Sequence, residues 1–247
     1  MDRLIYTSLT AMRSAQSRQA ATANNLSNAQ TPGFRGDVAE AQALWVRGDG
    51  LESRAVASEE VIGADMRAGV VMETGRDLDV AMQGDALLVV QADNGEEAYT
   101  RRGDLQLSQS GLLTNGEGQP VLGAQGPITL PPADKVMIDS SGRISIVPVG
   151  GDPAQPQEVD HLRLVTATGS KIIKGLDGLF RIRGGGILPD DPDARLLTGH
   201  IEGSNVSATA TLVQMIEASR SWDTQLKLIS SARDMDSAAA DLMRLPE

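Results

Sequence analysis

Apolar residues return every three or four positions at both ends of the chain, and every second position or in short runs between them. From Leu4 to Leu26 no glycine or proline intervenes, and Ile5, Leu9, Met12, Ala15 (or Gln16), Gln19, Ala23 and Leu26 fall on one side. That spacing predicts an amphipathic helix with a thin apolar stripe. Between Val206 and Leu242 a second uninterrupted segment sets Leu212, Met215, Ser219, Trp222, Leu226, Ile229, Ala232, Met235, Ala239 and Leu242 at similar intervals. It predicts another long helix, with Asn205 or Ser207 available to cap its start. Small residues crowd both, among them Ser8, Ala11, Ser14, Ala20 and Ala21 in the first and Ala238 to Ala240 in the second. Such stripes suit close, coiled-coil-like pairing, and they also suit terminal helices folded back onto their own domain.

The middle of the chain has the other period. "DALLVVQ", "EEAYTRRGDLQLSQSGLLTNGEGQPVLG", "PITLP", "KVMIDSSGRISIVPV", "DHLRLVTAT" and "GLFRIRG" alternate or run apolar for a few residues. They are punctuated by Asn94-Gly95, Asn115-Gly116, Ser141-Gly142 and Asp177-Gly178, pairs that favour hairpin turns. The pattern predicts an α+β protein in four segments. These are an N-terminal helix and turn over 1–36, an extended connector over 37–75, a central, mainly antiparallel β domain over 76–198 and a C-terminal helix within 199–247.

Composition narrows what such a protein does. A chain of 247 residues supports a sizeable core, but only 2% of them are aromatic, so that core must be aliphatic. The net charge of −11 repels nucleic-acid backbones and anionic lipid heads, so neither nucleic acid nor membrane insertion is expected. No apolar run reaches the roughly 18 residues of a membrane span, and the N-terminus has no secretory-signal pattern. The absence of cysteine excludes disulfides, thiolate metal sites and a cysteine nucleophile. Charge is also uneven along the chain. Residues 1–36 carry four arginines against Asp2, a net +3, and residues 201–247 carry four cations against seven carboxylates, a net −3.

Catalytic patterns are missing. His161 and His200 stand outside any zinc-ligand spacing, and Asp190, Asp191 and Asp193 are not followed by the closing glutamate of a calcium loop. Glu96 and Glu97 sit beside a hairpin turn and have no second acid placed opposite them. No nucleophile elbow, phosphate-binding loop or dinucleotide fingerprint occurs, and Gly184 to Gly186 alone does not make one. The expectation is therefore no enzyme, no cofactor and no metal.

Four stretches in register, "ANNLSNAQTPGFRGD", "GDALLVV", "YTRRGDLQLSQSGLLTNGEGQPVLG" and "EGSNVSATATLVQMIEASRSWDTQLKLI", closely resemble the rod and hook proteins of the bacterial flagellar axial structure. The opening "MDRLIYTSLTAM", "GADM" at 63–66 and "DGLFRI" at 177–182 look most like the proximal-rod members. Leu87-Leu88 and "GHIE" at 199–202 depart from the family's glycine-aromatic pair and its "GYLE". The resemblance implies that the two terminal helices pair in a tubular axis while the β domain projects outward. It implies a structural subunit of the proximal rod that transmits torque and lines the path of exported subunits, in the periplasmic part of the basal body. Export would run through the flagellar type III apparatus without a cleaved signal. Partners would be other proximal and distal rod proteins and further copies of the chain itself. The alternatives are a distal-rod or hook-type subunit and, further off, a periplasmic carbohydrate-active domain.

On this reading the subunit interface comprises Ile5, Leu9 and Met12 of the first helix and Met215, Ile216, Trp222, Leu226 and Ile229 of the second. It also includes the helix exit Asn24, Asn25, Leu26, Asn28, Thr31, Pro32, Gly33 and Phe34, and the approach Glu202, Gly203, Ser204, Asn205 and Val206. The three asparagines offer amides to backbone or neighbouring chains, and Thr31-Pro32-Gly33 stops the helix where the chain leaves the axis.

Overall fold

The computed structural model describes residues 2–45 and 55–243; side chains of residues 2–8, 40–45, 55–62, 236 and 239–243 lie outside the description. The chain divides into two units. The first comprises Met1–Ser27, Asp37–Asp65 and Val206–Glu247, and the second Asn28–Gly36 and Met66–Asn205. The protein is α+β, with two long helices and mainly antiparallel strands, as the two periods along the chain predict.

In the first unit, α1 (Asp2–Ser27) and α2 (Ala208–Met243) contact each other, and α1 also packs on strands β1 (Asp37–Trp45) and β2 (Ala55–Ala64). β1 and β2 pair antiparallel from Asp37↔Ala64 to Trp45↔Ala55, with a register shift at Val38/Ala39. Ser207 starts α2, its hydroxyl accepting from the Ala210 amide at 3.4 Å and its carbonyl from Thr211 at 2.9 Å. No described helix is long and apolar enough to cross a membrane.

The second unit begins with β3 (Val71–Glu73), β4 (Val80–Met82), β5 (Ala86–Gln91) and β6 (Glu97–Thr100). The short strands β7 (Gln106–Leu107), β8 (Leu113–Thr114), β9 (Leu122–Gly123) and β10 (Gly126–Pro127) follow. Then come β11 (Ala133–Ile138), β12 (Arg143–Pro148), β13 (Gln157–His161), β14 (Leu164–Thr166), β15 (Ile172–Lys174), β16 (Phe180–Ile182), β17 (Leu196–Thr198) and β18 (His200–Glu202). The largest sheet has the order β14-β5-β6-β16-β15, and a second sheet has the order β11-β12-β13. The remaining strands pair in twos, β17 with β4 and β18 with β3 among them. The segment read as a connector, 37–75, thus contains β1, β2 and β3, and its residues 46–54 lie outside the described residues.

The run "ALLVV" of β5 is buried on both faces, which is why it reads as a continuous apolar run and not as an alternation. Its Ala86, Leu88 and Val90 join Val80, Leu105, Leu113, Ile128 and Leu162 in one aliphatic cluster. Tyr99 is the largest fully buried side chain among the described residues, and its hydroxyl accepts from the Leu188 amide at 2.7 Å and donates to Glu97 Oε1 at 3.0 Å. Burial and the neighbouring Glu97 carboxylate push its pKa up to about 12, against the opposing effect of the Leu188 amide. Turns close the hairpins at Asn94-Gly95, Ser141-Gly142 and Asp177-Gly178, and after Asn115-Gly116 a reversal of the same length closes two residues later, at Glu117-Gly118. There the Asn115 side-chain Oδ1 accepts from the amides of Glu117 and Gln119, both at 3.0 Å, and the left-handed residue is Gly118.

Candidate functional site

Two places gather the residues singled out in the sequence, one in each unit. In the first unit, α2 turns Thr211, Met215, Ala218, Trp222, Gln225, Ile229 and Ala232 to its more buried side, at alternating intervals of four and three. Leu212, Ile216, Leu226, Leu228 and Met235 are exposed, on the other sides of the same helix. On α1, Ser14, Ala21 and Thr22 are buried, Met12 and Leu26 are half-buried, and Leu9 is exposed. The side chain of Ile5 lies outside the described residues. Leu226 and Ile216 therefore belong to a different face of α2 from Met215, Trp222 and Ile229.

The helix exit is built by two of the three asparagines. Asn25 pairs with the backbone of Asp37, its Oδ1 accepting from the Asp37 amide at 2.6 Å and its Nδ2 donating to the Asp37 carbonyl at 2.9 Å. Asn24 Nδ2 donates to the Asp37 carboxylate at 2.6 Å. Together they clasp the first residue of β1 to the last turns of α1, in the way a neighbouring strand would.

In the second unit the turn after α1 and the approach to α2 meet at a buried carboxylate. Asn28 starts the turn, its carbonyl accepting from the Thr31 amide and its Oδ1 from the Thr31 hydroxyl, both at 3.1 Å. The Gly33 amide donates to the Glu202 carbonyl at 2.7 Å. Gly33 has φ +67°, and a Cβ there would lie 2.4 Å from the Arg101 carbonyl, so position 33 accepts glycine alone on two independent grounds. Pro32 and Phe34 are half-buried, and Lys174 Nζ sits 3.7 Å from the Phe34 ring centre while donating to the Arg35 carbonyl at 2.8 Å.

Glu202, Arg35 and Arg101 are each 1–3% exposed. Glu202 Oε2 accepts from Arg101 Nε at 2.8 Å and Nη2 at 2.6 Å, a fork-to-carboxylate pair. Its Oε1 accepts from the Gly69 amide at 2.8 Å and lies 2.6 Å from Arg35 Nη1. That last contact is one of charge without hydrogen-bond alignment. Arg101 spends its other donors on the carbonyls of Gly84, Ala86 and Met82, at 2.6–2.9 Å. Burial pushes the Arg101 pKa down and Glu202 pulls it up; the net direction is down, and an arginine in this position stays charged. A lysine could not replace this five-donor fork.

Asn205 completes the node. Its amide donates to the Phe34 carbonyl at 3.3 Å, its Oδ1 accepts from Gly36 at 2.8 Å, and its Nδ2 donates to the Arg67 carbonyl at 3.0 Å. Gly203 donates to the Val70 carbonyl at 2.8 Å. Residues 36, 67 and 205 stand at or next to three of the points where the chain passes from one unit to the other, so a single side chain ties three chain ends together. Sequence reasoning placed Thr31, Gly33, Phe34, Glu202, Gly203 and Asn205 in one interface set; the structure joins these in one node. It missed Arg35, Arg101, Lys174 and Gly69. Arg35 lies inside "ANNLSNAQTPGFRGD" and Arg101 in "YTRRGD", but nothing in a linear pattern indicates that both guanidiniums share one carboxylate.

Three family descriptions match the chain: "Flagella basal body rod protein" over residues 5–35, "Flagellar hook protein FlgE/F/G D1 domain" over 81–146 and "Flagellar basal body rod FlgEFG protein C-terminal" over 197–242. The chain is 41% identical over 252 residues to the flagellar basal-body rod protein FlgF of Escherichia coli, covering 99% of this chain and 100% of that protein. It is 39% identical to FlgF of Salmonella typhimurium with the same coverage, and 27% identical to the rod protein FlgG of Bacillus subtilis, over 99% and 100% of the two chains.

Proposed function

This chain belongs to the flagellar basal-body rod proteins, as a FlgF-like structural subunit of the rod, and on that premise we propose how it enters the axis. The family is a structural one and not a class of enzymes, and its members are parts of the flagellar basal body that assemble with other rod and hook components. α1 and α2 pair as a coiled-coil-like seam that forms the wall of the proximal rod, where the tube crosses the periplasm. The subunit reaches its place through the type III export apparatus, without a cleaved signal, and joins further copies of itself and the proximal and distal rod proteins. The tube transmits torque and conducts exported subunits.

One observation carries this reading. α2 turns a four-three stripe, Met215, Ala218, Trp222, Gln225 and Ile229, to its more buried side, yet leaves Leu212, Ile216 and Leu226 exposed. A helix with two apolar faces, one covered and one open, suits a wall in which every helix has neighbours on more than one side. At about 25 cal/mol per Å² each such seam is worth several kcal/mol, multiplied around the tube. Position 226 tests it. Leu226→Asp should abolish incorporation into basal bodies while the purified chain keeps the thermal transition of its β unit. Rods of normal length containing that variant would refute the reading. The set Ile5, Leu9, Met12, Asn24 to Phe34 and Glu202 to Val206 is then partly a contact surface and partly the joint that supports it. Asn25, Gly33, Glu202 and Asn205 are spent inside the subunit.

A further inference from the structure

The β15–β16 hairpin concentrates positive charge in a short span of an acidic chain. Residues 170–183 carry Lys171, Lys174, Arg181 and Arg183 against Asp177 alone, a net +3 in a chain of net charge −11. The register Ile172↔Ile182, Ile173↔Arg181 and Lys174↔Phe180 turns Phe180 into the core. Strand alternation puts Lys171, Ile173, Arg181 and Arg183 on the opposite face. The Arg183 amide donates to the Lys171 carbonyl at 2.8 Å, so two like charges stand directly opposite each other. That arrangement weakens an isolated hairpin. Arg181 is paired with Asp177, whereas Lys171 and Arg183 are exposed with no carboxylate partner among the described residues. Between the strands Ile173 is 41% exposed, and Leu176 at the tip is fully exposed. β15 is also an end strand of the five-stranded sheet, so its outer edge is unpaired.

At the other end of the same sheet the sign reverses. β14 is flanked by the segment Pro189 to Asp193, bridged at Val165↔Asp190, which brings three carboxylates within four residues. Asp190 is paired with Arg163 yet 62% exposed, Asp191 is engaged with the Thr166 hydroxyl, and Asp193 is exposed.

We propose that the basic, apolar face of the β15–β16 hairpin docks onto the acidic edge, Asp190 to Asp193, of a second copy of this chain. Two different surfaces of one molecule meet head to tail, and a head-to-tail contact that does not close on itself generates a helical array. The match of charge orients the approach and relieves the Lys171–Arg183 repulsion, while Ile173 and Leu176 supply the apolar centre. This inference rests on the rod reading and adds to it a contact outside the helices.

Charge exchange in a strain lacking its own copy of the protein tests the proposal. The Lys171→Glu, Arg183→Glu chain should lower the yield of complete basal bodies about tenfold at an unchanged thermal transition, and Asp193→Lys should restore most of that yield when added to it. Normal yield from the Lys171→Glu, Arg183→Glu chain overturns the proposal, and so does a loss that Asp193→Lys fails to repair, since the acidic occupant would then lie elsewhere. Should glutamates unfold the hairpin, Lys171→Gln with Arg183→Gln carries the same expectation in weaker form. The wild-type chain in that strain is the control for the rod reading itself. If it builds no rods, that reading fails, and the docking is decided by sedimentation of the purified chain, whose self-association must weaken between about 0.05 and 1 M NaCl and vanish in the Arg183→Glu variant.

Discussion

Replacing Glu202 by glutamine keeps the size of the side chain and removes the charge that Arg35 and Arg101 share. Glu202 is 1% exposed and accepts at 2.8 Å and 2.6 Å from Arg101 and at 2.8 Å from Gly69, with Arg35 Nη1 at 2.6 Å. A glutamine offers one acceptor oxygen where two carboxylate oxygens served, and it turns an NH₂ group toward guanidinium donors. Two buried cations then face each other, with the exposed Asp85 left as a weak counter-charge to Arg101. Breaking a buried pair by removing one partner costs about 3–5 kcal/mol, because the desolvated charge stays behind. In a unit of about 150 residues, each kcal/mol moves the melting temperature by about 3 °C, so the β unit should melt about 10–15 °C lower. Scanning calorimetry of the purified full-length chain reads this directly, and far-ultraviolet circular dichroism followed on the strand signal assigns the transition. The drop should persist in about 1 M NaCl, since buried charges are little screened. A shift of under about 2 °C would refute the argument, for it would mean that water or local relaxation already solvates this carboxylate. Removing all three charges together, as in Arg35→Met, Arg101→Met, Glu202→Leu, should recover much of the lost stability.

Two further outcomes follow from the same unit. Gly33→Ala combines a left-handed φ of +67° with a Cβ placed 2.4 Å from the Arg101 carbonyl, so it should cost at least about 2 kcal/mol and shift the same calorimetric transition downward. Tyr99 is held near pKa 12 against an ordinary value of 10.0, by burial first, so the folded state favours the neutral phenol. The stabilisation from that phenol is complete below about pH 10 and is lost as the pH rises through 12. Ultraviolet titration should show a phenolate step near pH 12 that moves to about pH 10 in denaturant, and a single step near pH 10 in the folded protein would contradict the burial.

How far each feature was legible depends on how local its cause is. The helices α1 and α2 are legible because period and the absence of glycine and proline are properties of neighbouring residues. β5 is legible as a strand because five apolar residues in a row, bounded by turn formers, need burial on both faces. Asn115-Gly116 marks a chain reversal but not its left-handed glycine, which is Gly118, because the Asn115 side chain accepts from the Glu117 and Gln119 amides and opens the loop itself. The pairing of β1 with β2 was not legible within 37–75, since alanine and charge give it little alternation. The basic hairpin escaped for another reason. A net charge of −11 describes the average, and Lys171, Arg181 and Arg183 share one face only when strand register sets Lys171 opposite Arg183.

The sequence by itself determined the two terminal helices, the aliphatic antiparallel unit between them, the absence of the usual catalytic signatures and, through four motifs in register, the membership in the flagellar rod family. All of these rest on spacing along the chain or on residue type, which local physics converts into structure. The tertiary structure alone decided that Glu202 lies between Arg35 and Arg101, that Asn205 ties residues 36, 67 and 205 together, and which face of α2 is left open. Those facts join positions up to 169 residues apart. Such partners are chosen by the closing of the whole fold, where a buried charge must find its counter-charge wherever the chain has brought one.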